Sequence, residues 1–266
     1  MILLSFDIEE FDMPFEYNKE LPFDEQLAVS TEGTYKILDI LKRAGISATF
    51  YCTANYAQNK PEVINAIIDQ GHEVASHGYY HSDFKPEHLL LSKLKLEELT
   101  GKPVIGYRMA RMMPVDESEI EKAGYVYNSS INPTWLPGRY NNFNKPRTWF
   151  VYKNVLQLPS SVSPIIRFPL FWLSFHNLPM WLIKMFSVAT YKKDGYLSLY
   201  FHPWEFTDLN KPDKYGFPGY VTKNTGDAFV KRITSYISWA KAKGYSFERT
   251  DNFVKRINRD QILTSK

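Results

Sequence analysis

Two histidines lie four positions apart in the segment HGYYH, at His77 and His81. Neutral imidazoles are common ligands of divalent transition metals, and two of them with one carboxylate leave a coordination position open for water. A spacing of four residues fits a helical turn or a compact loop, so it is weakly specific when taken alone. The acidic segment DIEEFD near the N-terminus supplies carboxylates, and together the two segments predict a metal site.

The acidic segment has members with different predicted environments. Like charges a few ångströms apart are costly unless a positive group lies among them. A metal ion and Arg108 would supply that charge, so we interpret Asp7 as the buried member and either Glu9 or Glu10 as the metal ligand. For Asp12 the pattern favours a solvated loop position.

Further polar side chains follow predicted strands. They are Arg108 and Arg111, then Asn128, and then the HPWE segment from His202 to Glu205. A lone histidine is more often a satisfied polar residue than a ligand, and we interpret His72, His88 and His176 in that way.

The apolar pattern alternates between short strands and amphipathic helices. Strands are predicted at 2–7, 46–54, 73–77, 103–108, 125–131, 196–202 and 245–250, and helices at 34–45, 61–72, 88–101, 116–124 and 228–244. This alternation is typical of a parallel sheet, closed or nearly closed into a barrel, with helices outside. The 266 residues suit one large domain. In such a barrel, chemistry collects at the carboxyl ends of the strands, where the candidate residues lie.

Composition excludes some classes of function. The formal charge of +3, from 32 Lys and Arg against 29 Asp and Glu, is too small and too scattered to predict a nucleic-acid partner. Cys52 is the only cysteine, which excludes an intrachain disulfide and fits a reducing compartment. The N-terminal apolar run is short and passes directly into acids, so we interpret it as a strand rather than a signal peptide and expect a cytoplasmic location.

Residues 132–190 are rich in aromatic residues and proline, unlike the alternating units. The favoured interpretation is an insertion that packs over the mouth of the barrel. The alternative is an exposed apolar patch that docks on a membrane surface or a lipid-linked sugar, formed by Phe171, Trp172, Trp181 and Met185. The interrupted apolar stretch at 168–186 is not typical of a membrane-spanning helix.

Five segments in chain order resemble the polysaccharide deacetylases, the family with a NodB homology domain (carbohydrate esterase family 4). They are SFDIEEFD, GHEVASHGYYH, GYRMARMMP, YVYNSSI and LSLYFHPWEF. The closest resemblance is to the subgroup with a spaced D-x-E acidic motif. The resemblance implies a single-domain, distorted (β/α)7-type barrel and metal-dependent hydrolysis of an N-acyl group, most commonly N-acetyl, on an amino sugar or a sugar-containing glycan or glycolipid.

The resemblance also implies roles for individual residues. Asp7 matches the catalytic base, Arg108 the arginine that tethers it, and His202 the general acid. His77 and His81 match the metal ligands together with Glu9, or with Glu10 as the alternative carboxylate. The residues predicted to bind substrate are Arg111, Trp204 and Tyr79.

This sequence departs from the family pattern at three places. Glu9 and Glu10 replace the usual aspartate ligand, Ala110 and Arg111 stand where a proline is usual, and Asn128 stands where an acid is common. These departures leave open a metal-independent hydrolase of a cyclic amide or ureide C–N bond. A catalytically inactive carbohydrate-binding barrel is also open, although such a protein needs no base, metal and acid together.

The expected cofactor is a divalent transition metal. Two histidines and a carboxylate suit zinc, which we expect first, and also cobalt, nickel or iron. The expected partner is an N-acylated sugar, with peripheral membrane contact as an open alternative. The sequence does not indicate the identity of the sugar, acetyl against formyl, or the oligomeric state.

Overall fold

The computed structural model describes residues 1–264 as an α/β fold. The strands are β1 (Ile2–Ile8), β2 (Thr49–Cys52), β3 (Glu73–Ser76), β4 (Gly106–Tyr107), β5 (Tyr127–Asn128), β6 (Trp135–Leu136), β7 (Tyr140–Asn141), β8 (Phe150–Tyr152), β9 (Val155–Gln157), β10 (Leu197–Phe201) and β11 (Phe247–Glu248). The helices are α1 (Phe23–Ala44), α2 (Ala54–Asn59), α3 (Pro61–Asp69), α4 (Glu87–Thr100), α5 (Glu117–Lys122), α6 (Trp172–Asn177), α7 (Met180–Asp194), α8 (Pro212–Tyr215), α9 (Gly219–Thr222), α10 (Asp227–Ala242) and α11 (Thr250–Thr264). Short 3₁₀ turns span Met13–Tyr17, Ala110–Met112 and Pro203–Phe206.

The main sheet runs in the order β10-β1-β2-β3-β4-β5-β9-β8, and β11 adds to β1. All pairs are parallel except β8 with β9. Every residue of β1 is buried, as expected for a strand that helices cover on one face and the barrel interior fills on the other. The sheet curls, and the backbone N–H of Ser161 donates to the carbonyl of Ser198 (2.9 Å), which links the segment after β9 to β10. The predicted α/β barrel architecture is therefore present.

Helix α1 begins eleven residues earlier than the spacing predicts. It follows Pro22 and ends at Gly45, whose φ of +61° is the left-handed conformation that favours glycine at a helix end. Its first half buries small and polar residues against the site loops. Ser30 Oγ donates to the carbonyl of Glu9 (2.6 Å), and Gly33 lies against the backbone of Pro203. Small and polar residues on this face let α1 lie close to the backbone of the site loops. The first half of the helix therefore lacks the apolar spacing of an amphipathic helix.

The segment predicted as an insertion, 132–190, is in part a piece of the sheet. Strand β9 pairs with β5 in parallel, and helix α7 leads into β10. The β6–β7 hairpin pairs separately from the main sheet. The short β9 strand was missed because three residues carry too little periodicity to be recognised.

None of the helices within residues 1–264 is long and apolar enough to span a membrane. The predicted patch is also divided. Phe171 is buried, whereas Trp181 and Met185 on α7 are 66% and 49% exposed. Phe171 and Trp172 instead line the cavity described next.

Candidate metal and acid–base site

The carboxyl ends of the parallel strands converge on a cavity of about 260 Å³. Asp7 and Glu9, at the end of β1, and His202, which follows β10, line this cavity. His77, which follows β3, and Arg108, which follows β4, are buried behind these residues. Parallel strands all end at the same edge of the sheet, so residues far apart in the chain meet at this edge.

Glu9, His77 and His81 form a buried cluster whose possible ligand atoms all lie within 4.8 Å of one another. Glu9 Oε2 is 3.2 Å from His77 Nε2 and 2.9 Å from His81 Nε2. The two imidazole rings lie 5.9 Å apart and nearly parallel. The set is two imidazole nitrogens and one carboxylate oxygen, the combination found in catalytic zinc sites.

The outer partners of the two histidines fix which nitrogen faces the cluster. His77 Nδ1–H donates to the carbonyl of Arg108 (2.9 Å), and His81 Nδ1–H donates to Asp12 Oδ1 (2.6 Å). In the neutral rings both Nε2 atoms are then lone-pair acceptors. They point at Glu9 Oε2, a buried atom that has no hydrogen-bond partner among the described residues. Three acceptors that converge without a donor are a site for a cation, so these residues fit a metal.

The electrostatics of the cluster favour positive charge between Glu9 and His81, whether a proton or a metal carries it. Burial alone would raise the pKa of Glu9, but the His81 and His77 imidazoles outweigh burial and hold this pKa well below its usual range. Burial alone would lower the pKa of His81, but Glu9 and Asp12 raise it well above the ordinary value. The cluster therefore stabilises positive charge beside an ionised carboxylate.

Asp12 is not in a solvated loop, so the prediction for this residue was wrong. It is 5% exposed, and besides His81 it accepts hydrogen bonds from Ser82 Oγ and from the Arg111 guanidinium (3.2 Å). A carboxylate behind a ligand histidine orients the ring and raises its basicity, which is a common supporting arrangement in metal sites.

Glu10 points away from the histidines and does not fit its role as the alternative carboxylate ligand. Its carboxylate accepts hydrogen bonds from Thr53 Oγ1 (2.7 Å) and Asn55 Nδ2 at the start of α2. Burial raises the pKa of Glu10. Successive side chains of an extended segment point in opposite directions, so only Glu9 faces the cluster.

Asp7 and Arg108 form a buried ion pair beside the cluster. Arg108 Nη1 donates to Asp7 Oδ1 (2.5 Å) and to Ser5 Oγ (3.0 Å). The other donors of the guanidinium bind the carbonyl and hydroxyl of Ser129 (3.1 and 3.0 Å), and the guanidinium stacks 3.9 Å from the centre of the Tyr51 ring. Because its donors are bound on several sides, Arg108 holds the Asp7 carboxylate in one orientation.

His202 lies near the other carboxylate oxygen of Asp7, with its Nε2 atom 4.0 Å from Asp7 Oδ2. Its Nδ1–H donates to Glu205 Oε1 (2.9 Å), which leaves Nε2 facing the cavity, and its ring stacks on Trp204 with 4.8 Å between centroids. Burial alone would lower the pKa of His202, but Glu205, together with Glu9 and Asp7, raises it. The ring is therefore protonated over a wider pH range than an ordinary histidine.

His176 holds the other oxygen of Glu205. His176 Nδ1–H donates to the carbonyl of Lys223 (2.7 Å), and its Nε2 lies 2.8 Å from Glu205 Oε2. A neutral ring with its proton on Nδ1 has only a lone pair on Nε2, so this contact requires a second, shared proton. His176 is a buried histidine with hydrogen-bond partners, as predicted, but it also belongs to a series of hydrogen bonds that runs through Glu205 to His202. The sequence carries no signal for this series because His176 and Glu205 are 29 positions apart.

The three predicted substrate-binding residues differ in position. Arg111 lines the cavity with left-handed backbone (φ 57°), and its guanidinium contacts Asp12 and Glu16. Trp204 also lines the cavity, with its Nε1 atom 3.4 Å from Glu9 Oε1. Tyr79 does not line the cavity, because its hydroxyl turns outward to Gln58 (3.4 Å). The structure contradicts Tyr79 as a residue of this site.

Sequence reasoning did not single out several further residues that line the cavity. They are Glu16, Tyr17, Leu136, Arg139, Tyr140, Leu173, Tyr200 and Tyr220. Many come from the aromatic-rich middle of the chain and from loops without periodicity. The aromatic composition of these segments does not indicate where their side chains lie in the fold.

The architecture and the site define a class of protein: a curled parallel α/β barrel with two histidines, one glutamate and a separate Asp–Arg–His group at its carboxyl edge. Residues 18–111 match the sequence profile described as polysaccharide deacetylase. A peptidoglycan deacetylase-like protein of Gibberella zeae is 32% identical over 112 residues, which are 38% of this chain and 33% of that protein. The chain thus spans about a third of the length of this curated relative. These matches confirm the resemblance to the polysaccharide deacetylase family found in the sequence.

Solved structures confirm the fold. A "probable polysaccharide deacetylase" from Pseudomonas aeruginosa superposes on 97% of this chain and 90% of its own, with a TM-score of 0.67 and 18% identity. Puue allantoinase superposes on 96% of this chain and 88% of its own, with a TM-score of 0.63 and 21% identity. At these identities the likeness shows the shared single-domain α/β barrel.

Proposed function

We propose that this protein is a metal-dependent hydrolase that removes an N-acyl group, in the first place N-acetyl, from an amino sugar. The observation that carries the proposal is the convergence of Glu9 Oε2 and the Nε2 atoms of His77 and His81 beside Asp7 and His202. The family relatives named as deacetylases support the same reaction class.

Glu9, His77 and His81 would hold the metal. Bound there, a divalent metal would polarise the acyl carbonyl and lower the pKa of a water molecule. Zinc is the first candidate by ligand type, with cobalt, nickel and iron as the others.

The protein's own groups supply the proton transfers. Asp7, oriented by Arg108, accepts the proton of the attacking water. His202 donates a proton from Nε2 to the departing amine nitrogen, and its raised pKa keeps that proton available near neutral pH. The stack on Trp204 and the hydrogen bond to Glu205 hold the ring in place between these steps.

The metal-independent hydrolase of a cyclic amide or ureide is the second candidate, and the fold shared with an allantoinase favours it. The cluster distinguishes the two candidates. With both rings neutral, a metal satisfies all three converging acceptors, whereas without a metal a protonated His81 would donate to Glu9 instead. An inactive carbohydrate-binding barrel would gain nothing from the buried Asp7–Arg108 pair beside His202.

Metal content and acyl release test the proposal together. We expect about one equivalent of a transition metal by elemental analysis of the purified protein, lost in a His77→Ala, His81→Ala double variant. The matched control is His88→Ala, another buried histidine that lies on α4 away from the cluster. Asp7→Asn and His202→Ala should keep the metal and lower kcat for acetate release from N-acetylglucosamine oligosaccharides by roughly a hundredfold to ten-thousandfold.

No metal after incubation with zinc or cobalt would reject the metal-dependent reading. Turnover of a cyclic ureide by the metal-free protein would then support the second candidate. The cytoplasmic location predicted from the sequence stays a prediction.

A further inference from the structure

An apolar groove of about 530 Å³ adjoins the catalytic cavity and has no role in the chemistry described above. Its outer wall contains Trp135, Phe143, Ile166, Phe168 and Leu178. Trp135, Phe143 and Ile166 are 58%, 43% and 62% exposed. Large apolar side chains that gather at a concave surface mark a ligand groove more often than scattered exposed ones do.

The groove is continuous with the catalytic cavity. Four residues line both: Leu136, Phe171, Leu173 and Tyr220. Whatever fills the groove therefore lies next to the sugar whose acyl group is to be removed. An occupant that belongs to the substrate explains this position better than an unrelated molecule does.

Four polar side chains of the groove wall, those of Thr134, Arg167, Ser174 and Asn177, donate hydrogen bonds within the protein. All of them donate to backbone carbonyls. Thr134 Oγ1 donates to Arg167 (2.7 Å), and Ser174 Oγ donates to Pro169 (2.6 Å). Asn177 Nδ2 donates to Leu173 (3.0 Å) and Tyr220 (2.8 Å), and Arg167 Nη1 donates to Lys145 (2.7 Å) and Pro133 (3.2 Å). A sugar ring buried here would lose its hydrogen bonds to water and find few replacements, which is costly. A hydrocarbon chain loses nothing and gains apolar contact.

The other side of the cavity has the opposite character. A second depression of about 680 Å³ shares Glu16, Arg111 and Arg139 with the cavity and continues to Asn142 and Lys145. Its charged and amide groups suit hydrated or anionic parts of a substrate. The cavity thus lies between a polar arm and an apolar arm.

We propose that the groove binds a hydrocarbon chain carried by the substrate itself, so that the substrate class is an amphiphilic N-acylated amino sugar. This proposal rests on the proposed function, since it is the N-acyl sugar that occupies the cavity. The chain leaves the sugar past the four shared residues and lies along Phe143 and Ile166.

The test compares binding of octyl and methyl 2-acetamido-2-deoxy-β-D-glucopyranoside by calorimetry, with the octyl compound below its micelle concentration. We expect the octyl glycoside to bind tighter by about tenfold or more, as burial of a few methylene groups predicts. Ile166→Asn and Phe143→Asn, each made singly, should reduce that preference at least threefold. Ile165→Asn is the matched control, because the neighbouring Ile165 is 91% exposed and does not line the groove, so the preference should remain.

Other outcomes overturn the proposal. Equal binding of the two glycosides, or equal losses in the Ile165 and Ile166 variants, would remove the groove as a chain site. Loss of chitotriose binding in the Ile166 variant, without an octyl preference in the parent protein, would make the groove a sugar subsite. Sedimentation with phosphatidylcholine vesicles that depends on Ile166, again without an octyl preference, would make it a membrane contact.

The binding readout separates this proposal from the proposed function. An octyl preference without release of acetate would leave the groove standing and reject the deacylase. Acetate release with equal kcat/KM for both glycosides would support the deacylase and reject the groove as a chain site.

Discussion

Asp12 supports the candidate metal site through a single contact with His81 Nδ1, at 2.6 Å. Asp12→Asn keeps the shape of the side chain but removes its charge. We expect metal affinity to fall by about ten- to a hundredfold, measured by competition with a chromogenic chelator. Glu10→Gln is the control, because Glu10 is also buried but bonds to Thr53 and Asn55 instead of a histidine. Equal affinity losses in the two variants would contradict the assigned roles.

His176 and Glu205 make opposite predictions for the proton on His202. His176→Gln can still donate to Glu205 but removes the shared proton, so the buried site becomes more negative and the basic limb of the kcat profile moves to higher pH. Glu205→Gln removes the carboxylate next to His202, and the limb moves to lower pH. The other charged groups that face His202 are Asp7 and Glu9, which are the same in both variants.

The two pH profiles provide the check on this chain of contacts. If His176 and Glu205 had a purely structural role, each substitution would lower the melting temperature without moving the basic limb of the kcat profile. Shifts in the same direction for both variants would contradict the shared proton.

At this scale the sequence predicts the residues that follow strands directly. Asp7 and His202 come to the cavity, and Arg108 pairs with Asp7, because a parallel sheet brings strand ends together. Prediction from the sequence fails where the position of a side chain depends on the path of a loop. Gly78, with φ of +90°, turns the HGYYH loop so that both histidines face inward and Tyr79 faces outward. No periodicity records that turn.

Among the elements, helix α1 lies closest to the backbone that carries His202. A Cβ atom added to Gly33 would lie 1.8 Å from the carbonyl oxygen of Pro203. The apolar spacing predicts a helix that begins at residue 34, which leaves this glycine outside it. Glycine is a poor helix former, but the need for close approach outweighs its low helix propensity here.

Gly33→Ala tests this packing. An alanine in an unconstrained helix position would stabilise the fold by up to about 1 kcal/mol. Here the clash with Pro203 must separate α1 from the 203–206 turn, so we expect a loss of about 1–3 kcal/mol in the free energy of unfolding. Displacement of His202 should lower kcat at the same time. Urea unfolding and acetate release measure the two effects.

The control for this substitution is Gly219→Ala. Its added Cβ would meet no atom within 4 Å, and its φ lies outside the left-handed region. We expect no loss of stability in this control. A Gly33 variant as stable and as active as the Gly219 variant would show that the turn does not depend on the close approach.

For the whole molecule, the alternation of strands and helices was sufficient to predict a parallel barrel with its chemistry at the carboxyl edge. The pattern was not sufficient for β9, β8 or the β6–β7 hairpin, which are two or three residues long. Their positions are set by pairing with distant strands and not by local preference. The same limit applies to the amino-terminal edge of the barrel, where a buried polar network joins β2, β3, β5 and α11.

Glu73 is the centre of that network, and burial, with Asp251 next to it, raises its pKa to about 7. Its carboxyl group contacts Thr49 Oγ1 (2.7 Å), Tyr127 OH (2.7 Å) and the Asp251 N–H (2.9 Å). Between pH 4.5 and 7 the folded protein keeps a proton on Glu73 that the unfolded chain has released. The free energy of unfolding therefore falls as the pH rises through this window.

Glu73→Gln mimics the protonated side chain and cannot ionise. We expect the variant to gain stability relative to the parent protein from pH 4.5 to 8, by on the order of 3 kcal/mol at most. Burial lowers the pKa of the neighbouring His72 to about 4, which acts in the opposite direction, but this contribution is present in both proteins and cancels in their difference. Thermal melts of both proteins across pH 4.5–8.5 give that difference directly. A difference that stays constant with pH would show that Glu73 is ionised in the fold, and the network would then have to stabilise a buried negative charge at the amino-terminal end of the barrel.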